Sequence, residues 1–423
     1  MSALPHQAAK AGVIQSRKLL RFIRNGFRLL AVLSPIALLV SGCERKSTEA
    51  LHAASASTVL ASPTPAGLPA DIVGWFEPPR DAAHAPQNSH SPLSFYDGTE
   101  VKSAADWQRR REEIRQRWDE IMGPWPQLIE HPQIETIKSS TREEFVQKRI
   151  RIEIAPGLTT EGYLLIPPGT AKHPAVFVPG VDPHTNVGLD KPQRDLAYQL
   201  TKRGFVTLSI GAPGGNPRNP QFGDAQCQPL WFLAYIGANC ANALADLPEV
   251  DPNRLGIVGH AYGGKWALFA SCLCDRFACA VWSEAGVVFD ERRPGTNYWD
   301  PWYLGKETEK SRVPTRREEE ARFRTGAYKV LVESHLNLPE LESLMAPRPF
   351  LVSAGSNRRP GWASSSTDDE SRWPALWQTI EVNRLLGFER RVAMTNRPGH
   401  EPTALSNDQI CQFLTYFLKH DRH

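Results

Sequence analysis

The chain has 423 residues, of which 41% are hydrophobic and 22% charged. That composition supplies a large core and excludes a disordered chain. The net charge is only +3, with much of the excess in the first thirty residues. No basic stripe remains for a nucleic-acid partner.

Read in chain order, the first segment is a leader. Lys10, Arg17, Lys18, Arg21, Arg24 and Arg28 form a basic region, and Leu29 to Val40 is an apolar run ending in Ser41-Gly42-Cys43. The run is shorter than the roughly 20 apolar residues a membrane-spanning helix needs, and it suits a signal peptide. The small residues before Cys43 resemble a bacterial lipobox. Residues 1–42 are therefore expected to be a lipoprotein-type signal peptide. Cys43 is the expected lipidation site, anchoring an exported protein to the membrane of the bacterial cell envelope. Residues 43–92, rich in Ala, Ser, Thr and Pro, read as a tether and lead-in. Export leaves Cys227, Cys240, Cys272, Cys274, Cys279 and Cys411 open to disulfide pairing. Cys272, Cys274 and Cys279 lie where a helix runs into a buried strand with no interleaved His, so no metal is expected there. No cofactor is expected either.

A single domain is expected over 93–423, with 93–140 as an N-terminal helical extension. Ser103 to Ile121 is a helix: Ser103 can cap it, and Trp107, Ile114, Trp118 and Ile121 recur at helical spacing. Phe145 to Ile154 and Glu161 to Ile166 alternate apolar and polar residues around Pro156-Gly157, as an antiparallel pair does. Six short apolar strands follow: Ala175 to Val178, Phe205 to Ile210, Leu255 to Val258, Ala278 to Trp282, Phe350 to Ser353 and Val392 to Thr395. Continuous apolar strands are buried on both faces, as in a parallel sheet. Helical patterns lie between or after them at Leu189 to Arg203, Leu230 to Leu247, Trp377 to Leu386 and Asn407 to Leu418. The expected fold class is α/β, a mostly parallel central sheet flanked by helices. A cap insertion, 285–347, lies between the strands at about 278–282 and 350–353. Its aromatics, Trp299 and Trp302 among them, read equally as a stacking platform for a ligand or as the cap's own core. The charged run 316–324 belongs to the same insertion.

The chemistry centres on Gly259-His260-Ala261-Tyr262-Gly263-Gly264-Lys265. A strand pattern precedes it and a helix pattern follows, the context of the G-x-S-x-G elbow that presents a serine nucleophile. Here Ala261 occupies the nucleophile position. The base is expected at His400, in the Gly/Pro loop after the last strand. The orienting acid is expected at Glu284, at the end of the strand after the elbow helix. Asp368, Asp369 and Glu370 are the alternative acids, placed after the strand that ends at Ser353. Backbone N–H groups of Tyr262 and of Gly180 or Val181 would form the oxyanion hole. His260 and His184 are expected to line the pocket. Ser283, at the end of a buried strand, is not a substitute nucleophile.

These residues resemble the α/β-hydrolase superfamily over about Ser94 to Lys419, in its dienelactone hydrolase, acetyl xylan esterase and glucuronoyl esterase branches. The glucuronoyl esterase elbow reads G-C-S-R-x-G-K. Gly259, Gly264 and Lys265 match it; His260, Ala261 and Tyr262 depart. The resemblance implies a carboxylic-ester hydrolase acting on acetyl or uronate esters of polysaccharide. It supports Glu284 as the acid and gives Lys265 a contact with the sugar, beside the plainer reading of a helix-starting Lys that reaches solvent. Ala261 is read as the natural residue rather than a Ser→Ala trap, because the chain retains its leader. A site without its nucleophile can also serve a pseudoenzyme that binds sugar or acyl ligands. A prolyl oligopeptidase-like peptidase fits the elbow but lacks that family's propeller domain.

Overall fold

The computed structural model describes residues 68–82, 89–290, 298, 301–305, 324, 326–356 and 367–419. The expected signal peptide, Cys43, most of the expected tether, Trp299, most of the charged run 316–324 and residues 357–366 lie outside these residues.

Among the described residues, nine strands form one sheet in the order β1-β2-β3-β5-β4-β6-β7-β8-β9. They are β1 Ile134–Arg142, β2 Phe145–Ala155, β3 Leu158–Ile166, β4 His173–Phe177, β5 Val206–Ile210, β6 Val250–His260, β7 Phe277–Ser283, β8 Phe350–Gly355 and β9 Val392–Arg397. The pairs β1–β2, β2–β3 and β3–β5 are antiparallel, and the pairs from β5 through β4 to β9 are parallel. The helices of at least seven residues are α1 Ala104–Met122, α2 Leu196–Lys202, α3 Pro229–Ala245, α4 Tyr262–Leu273, α5 Gly326–Glu333, α6 Trp373–Leu385 and α7 Ala404–Lys419.

The strands are apolar throughout because successive side chains enter two different cores. Phe177, Ile257, Trp282 and Val352 pack toward α1, α3 and α4. Val176, Val258, Val281 and Leu351 pack toward α2 and α7. Burying both faces of a parallel sheet aims its strand ends at one rim, where the loops that follow carry the chemistry.

The helix expected from Ser103 to Ile121 is α1, which ends at Met122 before Gly123 takes a φ of 85°, and β1 begins at Ile134 within the extension. Two local expectations need correction. The expected helix Leu189 to Arg203 shrinks to α2, because Pro192 lacks an amide donor and clashes with a preceding turn. The six cysteines of the described domain are all buried free thiols, so none of them is paired. Among the described residues no helix is long and apolar enough to cross a membrane.

Candidate active site

The turn from β6 into α4 is held in a conformation L-residues avoid. Ala261 has φ 52° and ψ −110°, outside even the small left-handed region open to non-glycine residues. Such an outlier costs on the order of 1–3 kcal/mol and persists only when its surroundings enforce it. Close packing enforces it here. A Cβ on Gly259 would stand 2.0 Å from the Gly263 oxygen, one on Gly263 2.2 Å from the Pro179 oxygen, and one on Gly264 2.4 Å from the Ser283 oxygen. Only glycine fits at these three positions. The Ala261 N–H donates to the Ser283 oxygen at 2.8 Å, and the Lys265 N–H donates to the Ala261 oxygen at 3.0 Å. The peptide at Ala261 is thus pinned on both sides.

One strand over, Glu284 also has a positive φ, 53°. The turn aims its fully buried carboxylate at the loop after β9. There His400 Nδ1 lies 3.2 Å from Glu284 Oε2, and the histidine side chain remains 19% exposed. A carboxylate accepts, so Nδ1 carries the proton and Nε2 presents its lone pair to solvent. Oε2 also accepts from the Thr367 N–H at 2.7 Å and the Thr367 hydroxyl at 3.0 Å. The Arg397 guanidinium lies 3.6 Å from Oε1. It donates to the backbone oxygens of Ser353, His400 and Glu401 at 2.9, 2.6 and 3.0 Å. Arg397 therefore ties the histidine loop to β8 and neutralises the buried acid at once.

Sequence reasoning missed Arg397 and Thr367. Arg397 offered a signal, being a charged residue at the end of an otherwise buried strand. The alternative acids stand elsewhere. Asp368 is buried and accepts from the Gly286 and Val287 N–H groups at 2.8 and 2.9 Å, which fixes the chain leaving Glu284. Burial, and then the nearby Glu284 charge, raise its pKa. Asp369 caps the turn Glu370–Arg372, and Glu370 faces solvent.

His260, just before Ala261, stacks its ring 4.9 Å from the ring of His400, tilted by 53°. Its Nδ1 is 3.0 Å from the Ser283 hydroxyl, its cross-strand neighbour. Burial, then the adjacent His400, push its pKa well below the usual imidazole range, which makes it a neutral ring at physiological pH. Ser283 is buried beneath the elbow.

On the other side of the elbow, the loop after β4 packs against Gly263. Tyr262 contributes the first N–H of α4, at the positive end of a 12-residue helix. In the facing loop the Gly180 N–H is spent on the Ile210 oxygen at 3.2 Å. Gly180 is thereby removed as an oxyanion donor, and the candidate is Val181, whose side chain is exposed.

No family model and no curated protein matches the sequence. Solved structures do match. A glucuronoyl esterase from Solibacter usitatus aligns with a TM-score of 0.59 and 16% identity, over 78% of this chain and 97% of its own. A promiscuous CE15 esterase from a marine bacterial metagenome aligns with a TM-score of 0.58 and 18% identity, over 81% and 100%. A CE15 glucuronoyl esterase from Teredinibacter turnerae T7901 gives 0.58 and 18%, over 88% and 99%. The chain has the α/β-hydrolase fold.

In this α/β-hydrolase fold the remaining expected site residues scatter. Lys265 does not reach solvent: it is buried, donates to the Ala285 oxygen at 2.9 Å, and sits 4.5 Å above the Tyr298 ring. Tyr298 donates to the same oxygen at 2.7 Å. Together they fasten the start of the cap to the elbow helix. Trp302 is nearly buried, with Arg218 stacked 5.3 Å over it and Tyr303 at its edge. Tyr303 in turn packs on Tyr262 and Tyr298. The described cap aromatics thus build the cap's own core against the elbow. His184 turns to β3, where its Nδ1 lies 3.0 Å from the Tyr163 hydroxyl.

Proposed function

We propose that this chain is an exported lipoprotein of the bacterial cell envelope, lipidated at Cys43, whose site takes carboxylic esters. Acetyl or uronate esters of polysaccharide are the expected substrates. The observation that carries the reading is the Glu284–His400 hydrogen bond beside a strained elbow. A histidine held in one tautomer by a buried carboxylate, next to the N-terminus of a helix, is the apparatus of ester hydrolysis. The similar structures from Solibacter usitatus and Teredinibacter turnerae are glucuronoyl esterases, which supports an ester on a sugar acid.

In such a site the ester carbonyl oxygen would rest on the N–H groups of Tyr262 and Val181. His400 would move the proton, with Glu284 balancing the imidazolium charge. The covalent route stops at Ala261, because a methyl group cannot attack a carbonyl. That one residue favours a second reading, a protein that binds sugar or acyl esters without turning them over.

Ala261→Ser decides between them. The elbow is already in the conformation a nucleophile needs, so the Ser form should hydrolyse p-nitrophenyl acetate and acetylated or uronate-ester sugars. Its gain over the wild type should be on the order of a hundredfold or more. Equal rates in both forms would remove the elbow from the chemistry. Silence of both on every ester would leave ligand binding as the function.

A further inference from the structure

We propose that the chain as it stands hydrolyses esters without a covalent intermediate, using a water molecule where a serine hydroxyl would stand. The proposal rests on the esterase reading above and concerns only how the wild-type site turns over. Alanine is serine less one oxygen atom. Three things that a serine oxygen would need at this point are retained: the φ of 52° at Ala261 that presents the side chain, the His400 ring held by Glu284, and the N–H at the start of α4. The base also remains reachable, since His400 is partly exposed while its acid is fully buried.

The remaining contacts point the same way. Arg397 and Thr367 hold the Glu284 carboxylate in place through an ion pair and two hydrogen bonds. Glu284 repeats the positive φ of Ala261. Two positive-φ residues one strand apart, Glu284 bonded to His400 and Ala261 next to the His260 ring that packs on His400, maintain a base rather than a binding surface alone. Neutral His260 walls the base on the elbow side.

The step balances with water and ester alone. His400 Nε2 takes one proton from the water as its oxygen bonds to the carbonyl carbon. The carbonyl electron pair moves to the oxygen held by backbone N–H groups. The tetrahedral intermediate collapses, the C–O bond to the alcohol breaks, and the imidazolium returns its proton to the departing alkoxide. Acid and alcohol are the products, and no acyl-enzyme forms.

The test uses the full chain in detergent, p-nitrophenyl acetate, and a fluorophosphonate probe. Wild type should turn over steadily above buffer, with no initial burst and no probe adduct by mass spectrometry. His400→Gln should lower that rate by about a hundredfold or more, the usual contribution of a general base. Glu284→Gln should lower it as well, and thermal melting checks that each variant is folded. Ala261→Ser should show both a burst and an adduct. A wild-type rate unchanged by His400→Gln, or an acyl adduct on the wild type, would overturn the proposal. If Ala261→Ser is active while the wild type matches buffer, the proposal fails and the esterase reading stands. If neither form acts, both fail.

Discussion

At Ala261 the backbone conformation belongs to the surroundings rather than to the residue, and that is testable at the neighbouring glycines. Gly263→Ala would press a methyl against the Pro179 oxygen. It should cost about 1–3 kcal/mol or more by urea denaturation, as overpacking does. Gly74→Ala, where nothing lies within 4 Å of the new Cβ, should change stability little. Equal losses at both positions would show that close approach is not what the elbow glycines serve. At this scale the sequence was readable where motif and spacing carry geometry, as for Gly259, Glu284 and His400. It was opaque where a role depends on which way a side chain turns. Lys265 is one letter of a recognisable motif, yet its amine turns inward to the Ala285 oxygen. Thr367 and Arg397 meet Glu284 from over eighty residues away in sequence, through contacts no local pattern encodes.

Among the elements, α1 is held to the segment Leu338–Glu342 by a buried ion pair. Arg110 bonds Glu340, and neither side chain is exposed. Glu340 also accepts from the Tyr96 hydroxyl at 2.9 Å and the Trp118 indole at 3.3 Å. Glu340→Ala should therefore cost about 1–3 kcal/mol, because the Tyr96 hydroxyl and the buried Trp118 indole lose their acceptor and Arg110 keeps only Glu113 as an ion-pair partner among the described residues. An Arg110→Met/Glu340→Leu double variant should recover part of that loss in the same denaturation measurement. Two residues on, Glu342 is buried and neither carboxyl oxygen has a hydrogen-bond partner among the described residues. Burial, then the Asp368 charge, raise its pKa well above the usual carboxylate range. The folded state therefore binds the proton more tightly than the unfolded one. Stability from this group is complete below the unfolded pKa and drains away as pH rises toward the folded value. Glu342→Gln should match the wild-type melting temperature near pH 4 and exceed it increasingly toward pH 8. A difference that shrinks with rising pH would refute a protonated Glu342. Element type was legible for the buried strands, whose apolar runs follow from two-sided burial. β1 was not, because Ile134–Arg142 is polar and largely exposed, and only its pairing with β2 makes it a strand.

Over the whole molecule, the cysteines report on both folding and processing. All six in the described domain are buried, and burial raises the thiol pKa of Cys240, Cys272, Cys274, Cys279 and Cys411. Protonated, enclosed thiols react slowly. The native protein should give almost no reaction with a thiol reagent from these positions. In guanidinium the six should all titrate, with Cys43 as one more only where it carries no lipid. Fast native reaction of several thiols would contradict the packing. The sheet edge adds a second whole-molecule check. The turn Gly74–Phe76 lies against β9, and Phe76 stacks on Phe413 and meets Phe417 of α7 edge-on. This segment, read from sequence as lead-in, shields the outermost strand. Removing it should expose a pairing edge and promote aggregation, visible by light scattering.

The intact elbow has a genetic meaning. Alanine codons and one set of serine codons differ by a single base, so a lone transversion would set a hydroxyl on a backbone already bent to receive it. Any large population of the host would continually generate such Ala261→Ser variants. On the proposed esterase reading, the scaffold keeps covalent catalysis one heritable step away, and growth on the right ester would be enough to select it.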